Sequence, residues 1–295
     1  METTTETPID QPTRTSSASA PPEPAASSCP TCAGSAGSQP PSFIYALGRV
    51  EPRFPSPGVE KEFAQAVGRS DAAGLTDRQT LHSVLTKREY RYLTRQLCWV
   101  FSIQGLETYL LTPRDGHDLE LLVEAAGPPD PIPWISLVIG LRGPIAPPEM
   151  CNGLMLPIVA FDQIYSFDRE SLIKSIPKPG GAKAKEFTAS AGELFDRIMQ
   201  MTDNAGATDE NRALNYLSVR YPAIYAHASE CHGRNCSLTA VEVRPSPLSG
   251  VRKVVEVIFS FTNRSTDVAE KYFVRVDTTE EFPFLVTKMS PYYDR

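Results

Sequence analysis

Cys29-Pro30-Thr31-Cys32 sets two thiols on one side of a tight turn. That arrangement is half of a tetrahedral zinc site and is also the spacing of a dithiol redox pair. The pair is incomplete by itself, so further ligands must come from elsewhere in the chain or from a second copy, which points to assembly before catalysis. A second group of the same chemical kind is Cys231-His232-Gly233-Arg234-Asn235-Cys236. Two zinc arrangements are open. Cys29 and Cys32 meet the same pair of a second subunit in a four-thiolate structural site, or they join Cys231, His232 and Cys236 within one chain. A bare exposed dithiol oxidises readily, which sets zinc ahead of a mobile thiol pair. A redox role ranks third, because the motif does not stand between a strand and a helix of a thioredoxin-like unit.

Other chemistry is poorly supplied. No Gly-x-Ser-x-Gly turn, Walker loop or Gly-x-Gly-x-x-Gly turn occurs, so nucleophilic catalysis and phosphate binding lack their usual scaffolds. His82 and His227 fall in helical patterns and His117 in a polar turn, the ordinary settings of solvated histidines. The acidic pairs Glu280/Glu281 and Asp209/Glu210 read as solvated faces. No catalytic residue is expected. The net charge of -6 without a dense Lys/Arg cluster argues against nucleic acid. The longest apolar runs, Trp134 to Leu141 and Val254 to Phe261, fall well short of the roughly 20 residues that span a bilayer. The N-terminus has neither the basic region nor the apolar stretch of a secretory signal, so the reading is a soluble cytoplasmic protein with reduced cysteines. Cys98 and Cys151 then serve as small core side chains.

The elements that must carry these residues follow from pattern. Residues 1 to 41 contain no aromatic and almost no branched aliphatic residue, too little to offset the entropy of ordering, so a disordered tail is predicted. A strand is expected at Phe43 to Val50, a helix at Val59 to Val67, and a helix opened by the capping box Thr76-Asp77-Arg78-Gln79 and running to about Leu97. Cys98 to Leu111 reads as extended chain bending at Gly105, and Asp118 to Ala126 as a short helix. Gly127-Pro128-Pro129-Asp130-Pro131 marks a boundary. Trp134 to Leu141 and Leu154 to Tyr165 read as strands. Helices are expected at Lys185 to Met201 and Asp209 to Ser229, the latter capped by Thr208 and kinked or split by Pro222. Alternation in Val255, Val257, Phe259 and Phe261 and again in Tyr272, Val274 and Val276 predicts a hairpin.

Longer stretches carry a resemblance. Phe43 to Pro55, Val59 to Phe63, Arg142 to Leu154, Thr202 to Glu210 and Phe259 to Pro283 look like the region that follows the protease in PatG-type cyanobactin maturation proteins, and the resemblance runs from about Cys29 to Arg295. It implies a small domain of unknown function followed by a C-terminal domain. The family's subtilisin-like protease, which cuts and macrocyclises a ribosomal precursor peptide, has no counterpart in this sequence, so that activity is not implied. What is implied is an accessory part that dimerises and holds zinc through a Cys-x-x-Cys, here Cys29 and Cys32. The expected architecture is therefore α+β: a tail over 1–28, a zinc-associated dimerisation domain over 29–127, and a larger α+β domain with a C-terminal antiparallel sheet over 132–295. The expected role is a non-catalytic accessory or scaffold protein. Its partners are a second copy and either the precursor peptide or a separate maturation protease. A zinc- or Cys-dependent enzyme and a peptide-binding module using strand edges or the Pro-rich loop 143 to 148 are the alternatives.

Overall fold

The computed structural model describes residues 42–68, 77–127, 134–178, 180, 183–201 and 203–293. The predicted disordered tail, Cys29, Cys32 and the Thr76 cap lie outside them. Five strands, β1 (Ser42–Arg53), β2 (Cys98–Ile103), β3 (Leu106–Pro113), β4 (Trp134–Ile145) and β5 (Pro157–Asp168), close into a barrel in the order β1-β2-β3-β5-β4. All neighbours are antiparallel except β3 and β5. Gln104 and Gly105, at φ 52° and 82°, form the two-residue turn between β2 and β3, which is the bend predicted at Gly105.

Strand alternation separates the two barrel surfaces. Ile44, Ala46, Val50, Phe101, Leu111, Val138, Val159 and Phe161 fill the interior, and their core continues into the apolar faces of the N-terminal helices. These are α1 (Pro57–Val67), α2 (Asp77–Leu85), α3 (Arg91–Gln96) and α4 (Leu119–Ala125). The single helix predicted up to Leu97 is broken between α2 and α3. The Thr86 hydroxyl donates to the His82 carbonyl at 2.9 Å, and Lys87 then turns extended at φ -79°, ψ 127° before a 3₁₀ turn resumes at Arg88.

The remainder of the chain is α5 (Arg169–Ser175), α6 (Ala184–Met199), α7 (Asp209–Arg220) and α8 (Ala223–Gly233), followed by β6 (Cys236–Pro245), β7 (Val254–Asn263), β8 (Ala269–Asp277) and β9 (Phe284–Tyr292) in an antiparallel sheet of order β6-β7-β8-β9. Thr208 caps α7, its hydroxyl accepting from Asn211 N at 3.2 Å, and Pro222 splits the long predicted helix into α7 and α8. One face of the sheet, with Val255, Val257, Phe259, Phe261, Val274 and Val276, packs on Phe187, Leu194, Phe195, Leu214, Leu217 and Tyr225 of these helices.

The architecture is α+β with a separate four-stranded antiparallel C-terminal sheet, as expected. The boundary read at residues 127 to 132 is corrected by strand pairing. β4 pairs with β1 and β5 pairs with β3, so the barrel draws strands from both sides of that boundary, and residues 41–295 form one compact unit.

The barrel is locked to the helical layer along β1. Only Arg49 to Arg53 pair with β2, which leaves the earlier part of that strand edge needing partners. Gly206 and Asn215 supply them at Tyr45. Tyr45 N donates to the Gly206 carbonyl at 2.9 Å, and Asn215 Nδ2 donates to the Tyr45 carbonyl at 2.9 Å. Asn215 in turn exchanges hydrogen bonds of 2.7 and 3.1 Å with the buried Asn204. Gly206 is required here: its φ is +67°, and a Cβ would stand 2.5 Å from Ala46 Cβ.

Candidate functional site

Cys231 and Cys236 are both buried free thiols. Cys231 Sγ lies 3.5 Å from His227 Nε2, one helical turn away, and accepts from Arg234 Nη2 at 3.3 Å. Its contacts are thus His227 and Arg234, and not the His232 singled out by sequence. Cys236 donates toward the Arg234 carbonyl at 3.7 Å and accepts from Asn263 Nδ2 at 3.8 Å. Among the described residues no group of three or more His, Cys, Asp or Glu side chains stands ready to hold a metal ion. Burial pushes the Cys231 thiol up and His227 down. A ligand or a nucleophile needs the thiolate, and a metal at Cys231 would have to displace the Arg234 guanidinium. Among the described residues, Cys231, His232 and Cys236 do not by themselves assemble a zinc ligand set.

Cys98 and Cys151 are not free core side chains as expected; they form a disulfide with a Cα–Cα distance of 5.7 Å. It ties the start of β2 to the 3₁₀ turn between β4 and β5, and both residues sit in an apolar cluster with Val100, Leu110 and Ala146. The signal missed was not in their neighbours, which are apolar in either state.

The most unusual electrostatics lie where the barrel meets the loop between β8 and β9. Asp162 of β5 faces Glu281, and each carboxyl has one buried oxygen without a hydrogen-bond donor, Asp162 Oδ2 and Glu281 Oε1. Two acceptors facing one another are satisfied by one shared proton. Burial, followed by hydrogen bonding and repulsion from Asp162, pushes Glu281 up to about 7, against the pull of Arg114 and Arg212. Arg114 bridges the pair, with Nη1 2.6 Å from Asp162 Oδ1 and Nη2 3.7 Å from Glu281 Oε1.

Arg212 of α7 fixes the loop that carries Glu281. Its side chain is 3% exposed and donates to the carbonyls of Thr278 at 2.7 Å, of Glu280, and of Glu281 at 3.1 Å. The Phe43 ring centroid is 5.3 Å from its guanidinium carbon, and Asp209 Oδ1 is 3.4 Å from Nη1. Sequence reading took Glu280/Glu281 for a solvated face. The only available signal was the resemblance covering Phe259 to Pro283.

Residues 181–292 match the family described as PatG C-terminal. The chain carries a PatG-type C-terminal region. The match takes in α6 to α8 and the four strands β6 to β9, and with them Arg212 and Glu281. A solved structure described as "PatG Domain of Unknown Function" is similar over 85% of this chain and 98% of its own, with a TM-score of 0.69 and 17% identity. At that identity the likeness shows a shared fold, and it extends the PatG-type architecture beyond the matched segment. No curated protein matches the chain. No described helix is long and apolar enough to cross a membrane.

Proposed function

We propose that this protein is a non-catalytic accessory or scaffold module in the maturation of a ribosomally synthesised, cyanobactin-like peptide, acting beside a separate protease. The observation that carries the reading is the PatG-type region over residues 181–292, set in a fold similar to the PatG domain of unknown function. The state of the cysteines supports a non-catalytic role: the thiol of Cys231 is buried against Arg234, and those of Cys98 and Cys151 are joined. In this reading the protein is a homodimer, and Cys29 and Cys32 of two copies hold one structural zinc. The location proposed is cytoplasmic, where thiols are kept reduced. Cys98 and Cys151 are 7% and 8% exposed, which shields their disulfide from attack by solution thiols.

The test is reconstitution with the full chain, a precursor peptide and a separate maturation protease, read by mass spectrometry alongside solution mass and zinc content. The protein alone is expected to leave the precursor intact, and its addition to raise the yield or rate of processing. Half a zinc per chain in a dimer is expected, lost when Cys29 and Cys32 are both replaced by Ser. Processing by the protein alone would move the assignment to an enzyme.

A further inference from the structure

Tyr216 and Arg220 follow Arg212 along α7 at four-residue spacing, which brings the three side chains to one helix face. Tyr216 and Arg220, with Tyr45 of β1, Ile139 of β4, and Phe282 and Pro283 after Glu281, line a cavity of about 350 Å3. Tyr45 is 2% exposed, and its buried hydroxyl has the Arg220 guanidinium beside its oxygen but no acceptor for its own proton. Burial pushes that hydroxyl up to about 12 even though Arg220 pulls it down, so it remains an O–H donor throughout the physiological range. A buried donor left without an acceptor is costly, and an acceptor arriving in the cavity would relieve it.

Arg220 is the second observation. It has no carboxylate partner among the described residues, and its guanidinium carbon lies 5.1 Å from the Tyr165 ring centroid. Stacking on a ring uses the face of the guanidinium and leaves its in-plane N–H groups, beyond the one toward the Tyr45 oxygen, available. The rest of the lining is apolar or aromatic: Ile139, Tyr216, Phe282 and Pro283. The site therefore offers one positive charge and neutral phenolic donors beside apolar and aromatic side chains, in a cleft open to solvent at Arg220 and Phe282. That matches a monoanion, and a carboxylate is the monoanion whose two oxygens pair with a guanidinium edge. The volume lies at the small end of ligand cavities, which run from about 300 to 1,000 Å3, so the apolar body is about the size of one large side chain.

We propose that this cavity binds a monocarboxylic acid with an apolar body, its carboxylate on Arg220 and the Tyr45 hydroxyl and its body against Tyr216, Ile139 and Phe282. The same chemistry has two sources, the C-terminal residue of a peptide and a free small acid. The inference stands independently of the accessory-module reading, because it rests on the lining of the cavity alone.

The experiment is isothermal titration of the full chain with three probes: N-acetyl-phenylalanine, its C-terminal amide, and hydrocinnamate. Saturable one-site binding of N-acetyl-phenylalanine is expected, with the amide weaker by roughly tenfold or more. Arg220→Gln, at an exposed position, is expected to weaken the acid by a similar roughly tenfold factor. Tyr45→Phe should weaken it by about fivefold with the melting temperature little changed, since the O–H removed had no acceptor. Comparable binding of both acids assigns a free acid as the source; binding of hydrocinnamate alone does so too, and binding of N-acetyl-phenylalanine alone assigns a peptide C-terminus. Absence of saturable binding by either acid, equal binding of acid and amide, or full affinity in Arg220→Gln would each overturn the proposal.

Discussion

In the barrel, β1 to β5 remove most of their edges by closing on themselves and fill the enclosed space with aliphatic and aromatic side chains. In the C-terminal sheet, β6 and β9 stay at the edges, and the face opposite α6 to α8 is covered by its own polar side chains. Glu256 of β7 is central to that second solution. Its carboxylate is 3% exposed, between Arg275 Nη2 at 2.7 Å and Arg244 Nη2 at 3.2 Å. Arg275 lies over Phe273 at 4.7 Å, Arg244 over Tyr292 at 5.3 Å, and Arg252 over Phe284 at 4.9 Å. The arginines thus shelter the carboxylate while the rings shelter the arginines. An apolar interior responds weakly to salt and pH, whereas a lattice of ions at a surface responds to both. Two sheets in one compact unit therefore have different sensitivities.

The largest expected effect is on the barrel. Its disulfide joins residues 53 apart in sequence, and chain-entropy arithmetic gives about 4 kcal/mol for a loop of that size. The double substitution Cys98→Ala and Cys151→Ala is expected to lower the unfolding free energy by that order in urea titration. Amide protection should fall in β2, β3 and β5 more than in β6 to β9. Uniform loss over both sheets would instead mean that they open as one cooperative unit. The next effect strikes the polar face. Glu256→Gln leaves Arg244 and Arg275 without their buried counter-charge, and a loss of about 2 kcal/mol is expected, less than for a fully buried pair because both arginines retain some solvent. Thermal melts at low and high salt should differ less for this variant than for the wild-type protein, a contrast the disulfide variant should not show.

Local structure was legible where its signal was local. The β7/β8 hairpin follows from alternation, the bend at Gly105 from a residue tolerant of positive φ, and the α7/α8 break from Pro222. Closure of the barrel was not legible: a parallel pairing such as β3 with β5 leaves no short-range mark, and the Pro-rich segment after Gly127 has the composition of a domain linker although β4 returns to β1. The Cys231 to Cys236 group drew the site reading because spacing along the chain is visible, while the nearness of Arg234 and His227 to one thiol is not. Asn215 and Tyr45, 170 residues apart, show why the lock between the halves was equally hidden. The acid pair fared likewise, since Glu281 reads as surface until Asp162 is brought against it.

That pair allows the smallest of the predicted effects and sets the seam apart from both sheets. The groups around Glu281 are Asp162, Arg114 and Arg212, and their balance with burial holds its carboxyl at about 7, against 4.5 for an unperturbed one. The folded state then binds the proton more tightly than the unfolded chain. Its stabilising contribution is complete below about 4.5 and is lost as pH rises through 7. The loss is on the order of 1–2 kcal/mol once partial solvent access is allowed for. Glu281→Gln removes the titration and keeps an N–H donor for Asp162, so the variant should match the wild-type protein near pH 4.5 and exceed it by about 1 kcal/mol at pH 8. Urea titrations at those two pH values check this. Parallel behaviour of the two proteins would show that no proton is shared at the seam, and would leave the Arg114 bridge to Asp162 and Glu281 as the electrostatic tie between the barrel and the loop that carries Glu281.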